Sequence, residues 1–332
     1  MENLEYQIIL FYKYVHIENP EQVKMWHDEI CARLDLKGRC IIAREGINAT
    51  FEGTNGNIKE YVEELEKDKR FSKIHFKLSA GTGSAFPKLS IKVRKEIVSL
   101  NLGVCDIDPN QNTGIHLKPD ELHKWLREGR EFYIVDMRNV YEHKVGHFKN
   151  SILPPMENFR DLPKVVGQIS HLKNKTVLTV CTGGVRCEKA SGFLITQGFT
   201  DVYQLDGGIV SYMEKYPNEN FQGKLYVFDR RVTMGPSALL GTGLYTDDKK
   251  HIVIGKCDAC GEKSENYVNC VNSVCHRHFI ACGTCIEKSN GKVFCPGGCM
   301  LSRHGRPVRQ PIQSTFQDGG GKISPIEADL VS

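Results

Sequence analysis

Thr176-Val-Leu-Thr-Val-Cys181-Thr-Gly-Gly-Val-Arg186-Cys187-Glu-Lys-Ala190 is the stretch from which the fold can be read. Thr176 to Val180 is short, apolar and β-branched, as in a strand buried on both faces. Cys181 to Arg186 then makes a tight loop, and Cys187 to Gln197 reads as a helix. Gly183 and Gly184 permit backbone conformations that a β-carbon resists. The N–H groups of such a loop can converge on one spot, and the helix adds its positive end there. Both effects favour thiolate over thiol, which makes Cys181 the candidate nucleophile. Arg186 can donate to a bound anion or hold the loop through a buried contact. Cys187 is a candidate resolving thiol for an oxidised Cys181. It reads equally as a small buried residue facing the sheet, and this is the preferred reading. Four residues separate Cys181 from Arg186. That loop is one residue shorter than the phosphate-sized loop of cysteine phosphatases, and suits a persulfide or a smaller electrophile.

Strands and helices alternate around this stretch. Pro119 to Glu128 predicts a helix, Phe132 to Asp136 a strand, and Glu142 lies in a short helix or turn. Gly146 to Phe148 reads as a loop, Leu162 to His171 as helical, and Asp201 to Leu205 as a strand before Asp206-Gly207-Gly208. The pattern predicts a parallel sheet covered by helices. Further upstream, strands are expected over 5–15, 39–44, 47–52 and 71–78, with helices over 20–36 and 57–68. That β-α-β-β-α-β order belongs to a ferredoxin-like sandwich. Lys88 to Val98 adds a strand-like segment. The chain is therefore expected to combine α/β and α+β architecture. A ferredoxin-like domain spans 1–100, a linker 101–117, the parallel-sheet domain 118–220 and a connector 221–256. A cysteine-rich module spans 257–305 and a flexible tail 306–332.

A length of 332 residues, 25% charged and 40% hydrophobic residues, and a net charge of +4 describe a folded chain of two or three domains. The start Met1-Glu2-Asn3-Leu4-Glu5 is acidic, unlike a secretory signal. Apolar runs fall far short of the ~20 residues that span a bilayer. A cytoplasmic protein is expected, in which clustered cysteines serve metal binding or catalysis. Neither a phosphate-loop nor a dinucleotide fingerprint is present. His16 and Glu18 form a lone pair without a second histidine, and His16 reads as structural. From Lys69 to Lys95 there are eight Lys/Arg and no Asp or Glu. That run is either a solvated face or a phosphate-facing stripe.

Thirteen cysteines divide unevenly. Eight lie in short-spaced pairs: Cys257 and Cys260, Cys270 and Cys275, Cys282 and Cys285, Cys295 and Cys299. Eight thiolates suit two structural zinc ions with four cysteines each. Adjacent pairs can share an ion, or pairs one and three can share one ion and pairs two and four the other, the preferred layout. His276 or His278 can replace one cysteine. Metal would serve as the core of a module with few large apolar residues. Residues 256–309 carry eight Lys/Arg against four Asp/Glu, which is consistent with RNA contact. Cys31, Cys40 and Cys105 read as incidental.

Asp136-Met-Arg138, Tyr141-Glu142, Gly146-His147, the Cys181 loop and Asp206-Gly-Gly-Ile209 resemble a rhodanese domain. In that family the cysteine matching Cys181 carries the reactive sulfur. Phe11-Tyr12-Lys13-Tyr14, Arg44-Glu-Gly-Ile-Asn48, Cys181 to Ala190 and the cysteine-rich tail narrow the resemblance to the rhodanese-domain tRNA uridine hydroxylases. It runs to about residue 305, with Val185 where the family often has Ile. The resemblance implies an oxidoreductase that converts wobble uridine to 5-hydroxyuridine. Molecular oxygen would be co-substrate and the anticodon region of tRNA the partner. It also implies an acylphosphatase-like first domain, in agreement with the strand order. The residues themselves support thiolate attack, by addition of Cys181 to C6 of uracil or through a sulfenic acid on Cys181. The rival functions are a sulfurtransferase working through a Cys181 persulfide, and a non-catalytic RNA-binding or redox-sensing protein.

Overall fold

A computed structural model describes residues 5–103, 106–235, 252–272, 274–275, 277–296 and 299. Cys105, His276 and the expected tail 306–332 lie outside the described residues. The first domain contains β1 (Tyr6–Tyr14), α1 (Pro20–Arg33), β2 (Lys37–Ala43), β3 (Gly46–Thr54), α2 (Asn55–Glu66) and β4 (Lys77–Ala80). Pro20 opens α1, and the Asn19 side chain accepts from the Gln22 N–H. Thr54 caps α2 in the same way. The strands pair in the order β4-β1-β3-β2, and β5 (Leu89–Val93) adds beside β2 in parallel. This is the ferredoxin-like sandwich with one extra strand.

The strand expected over 71–78 is shorter than its apolar residues suggest. Phe71 ends a 3-10 turn begun by Asp68, which accepts from the Arg70 N–H, and anchors the helical core instead. Only Lys77–Ala80 pairs with β1. The basic run does not form one surface either. Lys69, Arg70 and Lys73 precede β4, whereas Lys92 lies in β5 and Lys88, Arg94 and Lys95 flank it, at the opposite edge of the sheet. Lys77 turns inward.

Both faces of β1 are covered. Ile9 and Phe11 pack with Phe51, Tyr61 and Leu65 under the helices. Leu10 and Tyr12, on the other face, meet the second domain. That is why the strand reads as continuously apolar rather than alternating.

The second domain contains β6 (Ile115–Leu117), α3 (Pro119–Glu128), β7 (Tyr133–Asp136), α4 (Val140–His143), β8 (Gly146–Phe148), α5 (Leu162–Val165), β9 (Thr176–Val180), α6 (Val185–Thr196), β10 (Asp201–Leu205) and α7 (Gly208–Lys215). Its parallel sheet has the order β6-β10-β9-β7. Val177 of β9 packs in the apolar layer of α6, and Leu178 and Val180 in that of α7. Three local readings change. The stretch read as a linker contributes Ile107 to the core and β6 to the sheet edge. Gly146–Phe148, read as a loop, is a strand because β11 (Phe221–Gly223) pairs with it from far along the chain. Helix α6 begins at Val185, which places Arg186 and Cys187 in its first turn.

The rest of the described chain forms two small hairpins, β12 (Leu225–Tyr226) with β13 (Thr233–Met234) and β14 (Tyr267–Asn269) with β15 (His278–Ile280). A short helix, α8 (Gly283–Lys288), follows. Arg231 crosses back to the first domain, donating at 2.9 Å to Ser79 Oγ and the Ala80 carbonyl.

Candidate active site and metal clusters

Cys181 follows β9 at the carboxyl end of the parallel sheet, where α/β folds place their sites. Its loop is tied to α7 by the Ile209 N–H donating to the Cys181 carbonyl at 2.9 Å and the Val210 N–H to Thr182 at 3.0 Å. A β-carbon on Gly208 would lie 2.6–2.7 Å from Gly184 N and the carbonyls of Cys181 and Thr182, so only glycine fits there. The Gly184 N–H points at Cys181 Sγ from 3.3 Å.

Cys181 is fully buried, and burial alone would raise its thiol. Hydrogen bonding from the Cys187 thiol, the Arg186 charge and the N–H groups of Cys187 and Arg186 more than offset burial and hold Cys181 below the ordinary thiol range. Burial and the neighbouring Cys181 sulfur push Cys187 the other way. The two thiols are therefore pushed in opposite directions, Cys181 down and Cys187 up.

Arg186 donates to both Glu142 carboxylate oxygens, at 2.5 and 2.8 Å, and to Thr182 Oγ1 at 3.2 Å. The loop-holding contact foreseen for Arg186 is formed. Glu142 belongs to α4, whose preceding residues Asp136 and Arg138 form a fully buried pair. Arg138 also reaches the Gly146 carbonyl at 2.7 Å.

The first domain lies over this loop. Leu10 would be 2.8 Å from a β-carbon on Gly183, and the Tyr12 hydroxyl 2.8 Å from one on Gly184. Gly184 has φ +101°, so it needs glycine for its backbone as well. The Tyr14 hydroxyl donates to the Val185 carbonyl at 3.2 Å. Glu188 gathers Tyr12, Thr113, His116 and Gln204 within 2.9–3.1 Å. Burial raises Glu188, but those contacts bring it below the usual carboxylate range. Lys189 is enclosed by Glu45 at 2.8 Å and by Glu96 and Asp106 at 2.9 Å.

Three domain families match in order: the UPF0176 acylphosphatase-like domain over residues 6–97, the rhodanese-like domain over 118–215 and the rhodanase C-terminal domain over 222–300. A tRNA uridine(34) hydroxylase of Cytophaga hutchinsonii is 43% identical over 303 residues, which cover 91% of this chain and 92% of that protein. A tRNA uridine(34) hydroxylase of Bacillus cereus is 39% identical over 328 residues, covering 97% and 98%. The chain belongs to the tRNA uridine(34) hydroxylase family. A solved rhodanese-like domain protein of Staphylococcus aureus overlaps 30% of this chain and 90% of its own, at 31% identity and TM-score 0.26.

In this family member the eight paired cysteines converge into two groups, Cys257, Cys260, Cys282 and Cys285, and Cys270, Cys275, Cys295 and Cys299. Pairs one and three meet, as do pairs two and four. Within each group every sulfur lies within 4.8 Å of the others, so each can hold a metal ion. The Cys260–Cys282 and Cys275–Cys295 sulfurs are 3.5 and 3.6 Å apart. A tetrahedral site with metal–sulfur bonds of ~2.3 Å sets its sulfurs ~3.8 Å apart, so an all-thiolate set of this spacing fits zinc. His278 joins neither group; it stacks on Tyr267 with ring centres 4.7 Å apart. The module docks beside α4 through Lys144–Asp258, Lys224–Glu265 and Arg277–Glu157, and the Tyr267 hydroxyl donates to the Tyr141 carbonyl. Among the described residues no helix is long and apolar enough to cross a membrane.

Residue reading did not foresee Tyr12, Glu188, Lys189 or Lys77 as parts of the site. Tyr12, Glu188 and Lys189 stood inside family motifs without an assigned role. For Lys77 the available signal was a lysine in a short strand beside Phe76 and Leu78.

Proposed function

We propose that this protein hydroxylates C5 of the wobble uridine of tRNA, using Cys181 as a nucleophile. The Cys181 loop under the first domain's sheet, in a chain similar over nearly its whole length to tRNA uridine(34) hydroxylases, carries this reading. A thiolate can add to C6 of uracil, which makes C5 electron-rich. Insertion of one oxygen atom from dioxygen at C5 then consumes two electrons and two protons and releases water, so a reductant takes part. Loss of the C5 hydrogen expels the thiolate and restores the ring. Cys181 is the nucleophile, Arg186 holds its loop, and Cys187 supplies the neighbouring thiol.

The loop by itself also suits sulfane-sulfur transfer through a Cys181 persulfide. The similarity to tRNA uridine(34) hydroxylases over nearly the whole chain favours the larger, base-bearing substrate. The anticodon region of tRNA is the partner in this reading, and the cytoplasm its compartment. Two zinc ions, on the two cysteine groups, act as the core of the C-terminal module and take no part in the reaction. Chelation should expose residues 257–299 to protease, and unchanged resistance would refute the zinc assignment.

Nucleoside mass spectrometry of tRNA from a deletion strain tests the function. Loss of 5-hydroxyuridine, restored by the wild-type gene and not by Cys181→Ser, is the expected result. Loss of a thiolated nucleoside instead would support sulfur transfer, and an unchanged profile would leave neither enzyme reading standing.

A further inference from the structure

A buried ammonium with no partner is costly, and its retention calls for a cause. Lys77 is 4% exposed and makes no hydrogen bond or ion pair with any described residue, and its ammonium keeps a small opening rather than being sealed in. Its register fixes its direction. Lys77 lies opposite Leu10 in the antiparallel β1–β4 pair, so the two side chains share a face. That is the face that presses Leu10 on Gly183 and Tyr12 on Gly184. The Lys77 ammonium sits 4.8 Å from the centre of the Tyr12 ring, and the Tyr12 hydroxyl is engaged by Glu188. Burial brings Lys77 down to about 8, against the opposing pull of Asp206, Cys181 and Glu188. The other buried cations at the loop are already committed, Arg186 to Glu142 and Lys189 to three carboxylates.

We propose that Lys77 is a catalytic residue whose ammonium binds the substrate oxygen that becomes anionic when Cys181 attacks the base. This role rests on the addition reading above. In that step the thiolate electron pair forms the S–C6 bond. The C5=C6 π pair moves into the C5–C4–O4 system, and the negative charge that left sulfur appears on O4. No proton or electron is exchanged with solvent until C5 reacts. A preorganised cation facing O4 lowers the energy of this enolate and is worth most where water is excluded. An inward lysine on an edge strand can also serve to prevent strand addition. That role would leave chemistry at Cys181 unchanged.

The test uses the full-length, metal-loaded protein and an anticodon stem-loop RNA carrying 5-fluorouridine at the wobble position, without oxygen. Addition of Cys181, followed by uptake of one proton at C5, then gives a 5-fluoro-5,6-dihydrouridine thioether, a covalent complex seen on a denaturing gel. Lys77→Met should slow trapping by about 100-fold. RNA affinity and the rate of Cys181 alkylation by iodoacetamide should stay within about threefold of wild type. Lys77→Arg, which keeps a cation, should recover part of the rate. Lys77 is faced by Tyr12, His75, Glu188, Asp206 and Cys181. Against that fixed background, trapping by wild type should fall as pH rises through about 8, and the fall should move to higher pH in Lys77→Arg. Trapping by Lys77→Met at the wild-type rate overturns the proposal. So does an equal loss of trapping and alkylation, which would place Lys77 on the thiol rather than on the substrate. If Lys77→Met fails to fold, Lys77→Arg decides through its pH profile. If the wild type hydroxylates uridine but never traps the fluorinated base, the addition reading itself fails and takes this role with it.

Discussion

Two buried lysines at one domain interface are held in opposite ways. Lys189 is fully buried with Glu45, Glu96 and Asp106 at 2.8–2.9 Å. Lys77 lies over the Tyr12 ring and has no carboxylate in contact among the described residues. In the first region the one cation is held by three carboxylates, which also accept backbone N–H groups. Glu45 and Glu96 come from the first domain, Asp106 from the segment after it, and Lys189 from α6, so the cluster works as a joint. In the second region the protein leaves one charge unanswered beside a thiol loop. A joint must be complete before substrate arrives, whereas a site keeps capacity for the charge that the reaction creates.

The largest expected effect breaks the joint. Lys189→Met leaves three carboxylates without their cation and should cost about 3–5 kcal/mol in chemical unfolding. Lys77→Met should cost far less, or nothing, because it removes an unpaired charge. Equal losses would erase the distinction between the two regions.

The next test uses pH. The folded value of Lys77 is depressed from 10.5 to about 8, so between those values the unfolded chain binds the extra proton. Wild-type stability relative to Lys77→Met should therefore rise with pH across that window, by about 3 kcal/mol in full. Unfolding midpoints of both proteins below and above the window would show it, and a flat difference would mean that Lys77 is answered after all.

Arg186 contributes to holding Cys181 below the ordinary thiol range. Arg186→Gln should move the midpoint of Cys181 alkylation upward by about one pH unit or more. An unmoved midpoint would assign the thiolate to the loop N–H groups and Cys187 alone. The smallest effect concerns the contact between the sheet and the loop. Gly183→Ala should destabilise by about 1–2 kcal/mol through Leu10, and Leu10→Ala should relieve part of it in a double-mutant cycle. Additive losses would mean that the two residues do not press on each other.

Much of the fold was legible because it follows local rules. The apolar β-branched run Thr176–Val180, the glycines after it and the cap at Asn19 act within a few residues of themselves. Where the readings failed, a distant partner decided. Phe71 looks like strand and is a core anchor. Gly146–Phe148 looks like loop until β11 returns to pair with it. At the site, Cys181 was readable from its strand–loop–helix setting. For Arg186 the loop-holding use was readable, but its partner Glu142, 44 residues away, was not.

By itself the sequence determined the ferredoxin-like order, the parallel-sheet domain, the candidate nucleophile and the four cysteine pairs. Each follows from hydrophobic period, turn chemistry or short spacing. Tertiary structure alone decided that cysteine pairs one and three meet, that Gly183 makes room for Leu10, and that Lys77 faces the thiol loop unpaired. The reason is register. A shift of one residue in the β1–β4 pairing would turn Lys77 to the other face, and no local propensity fixes that choice.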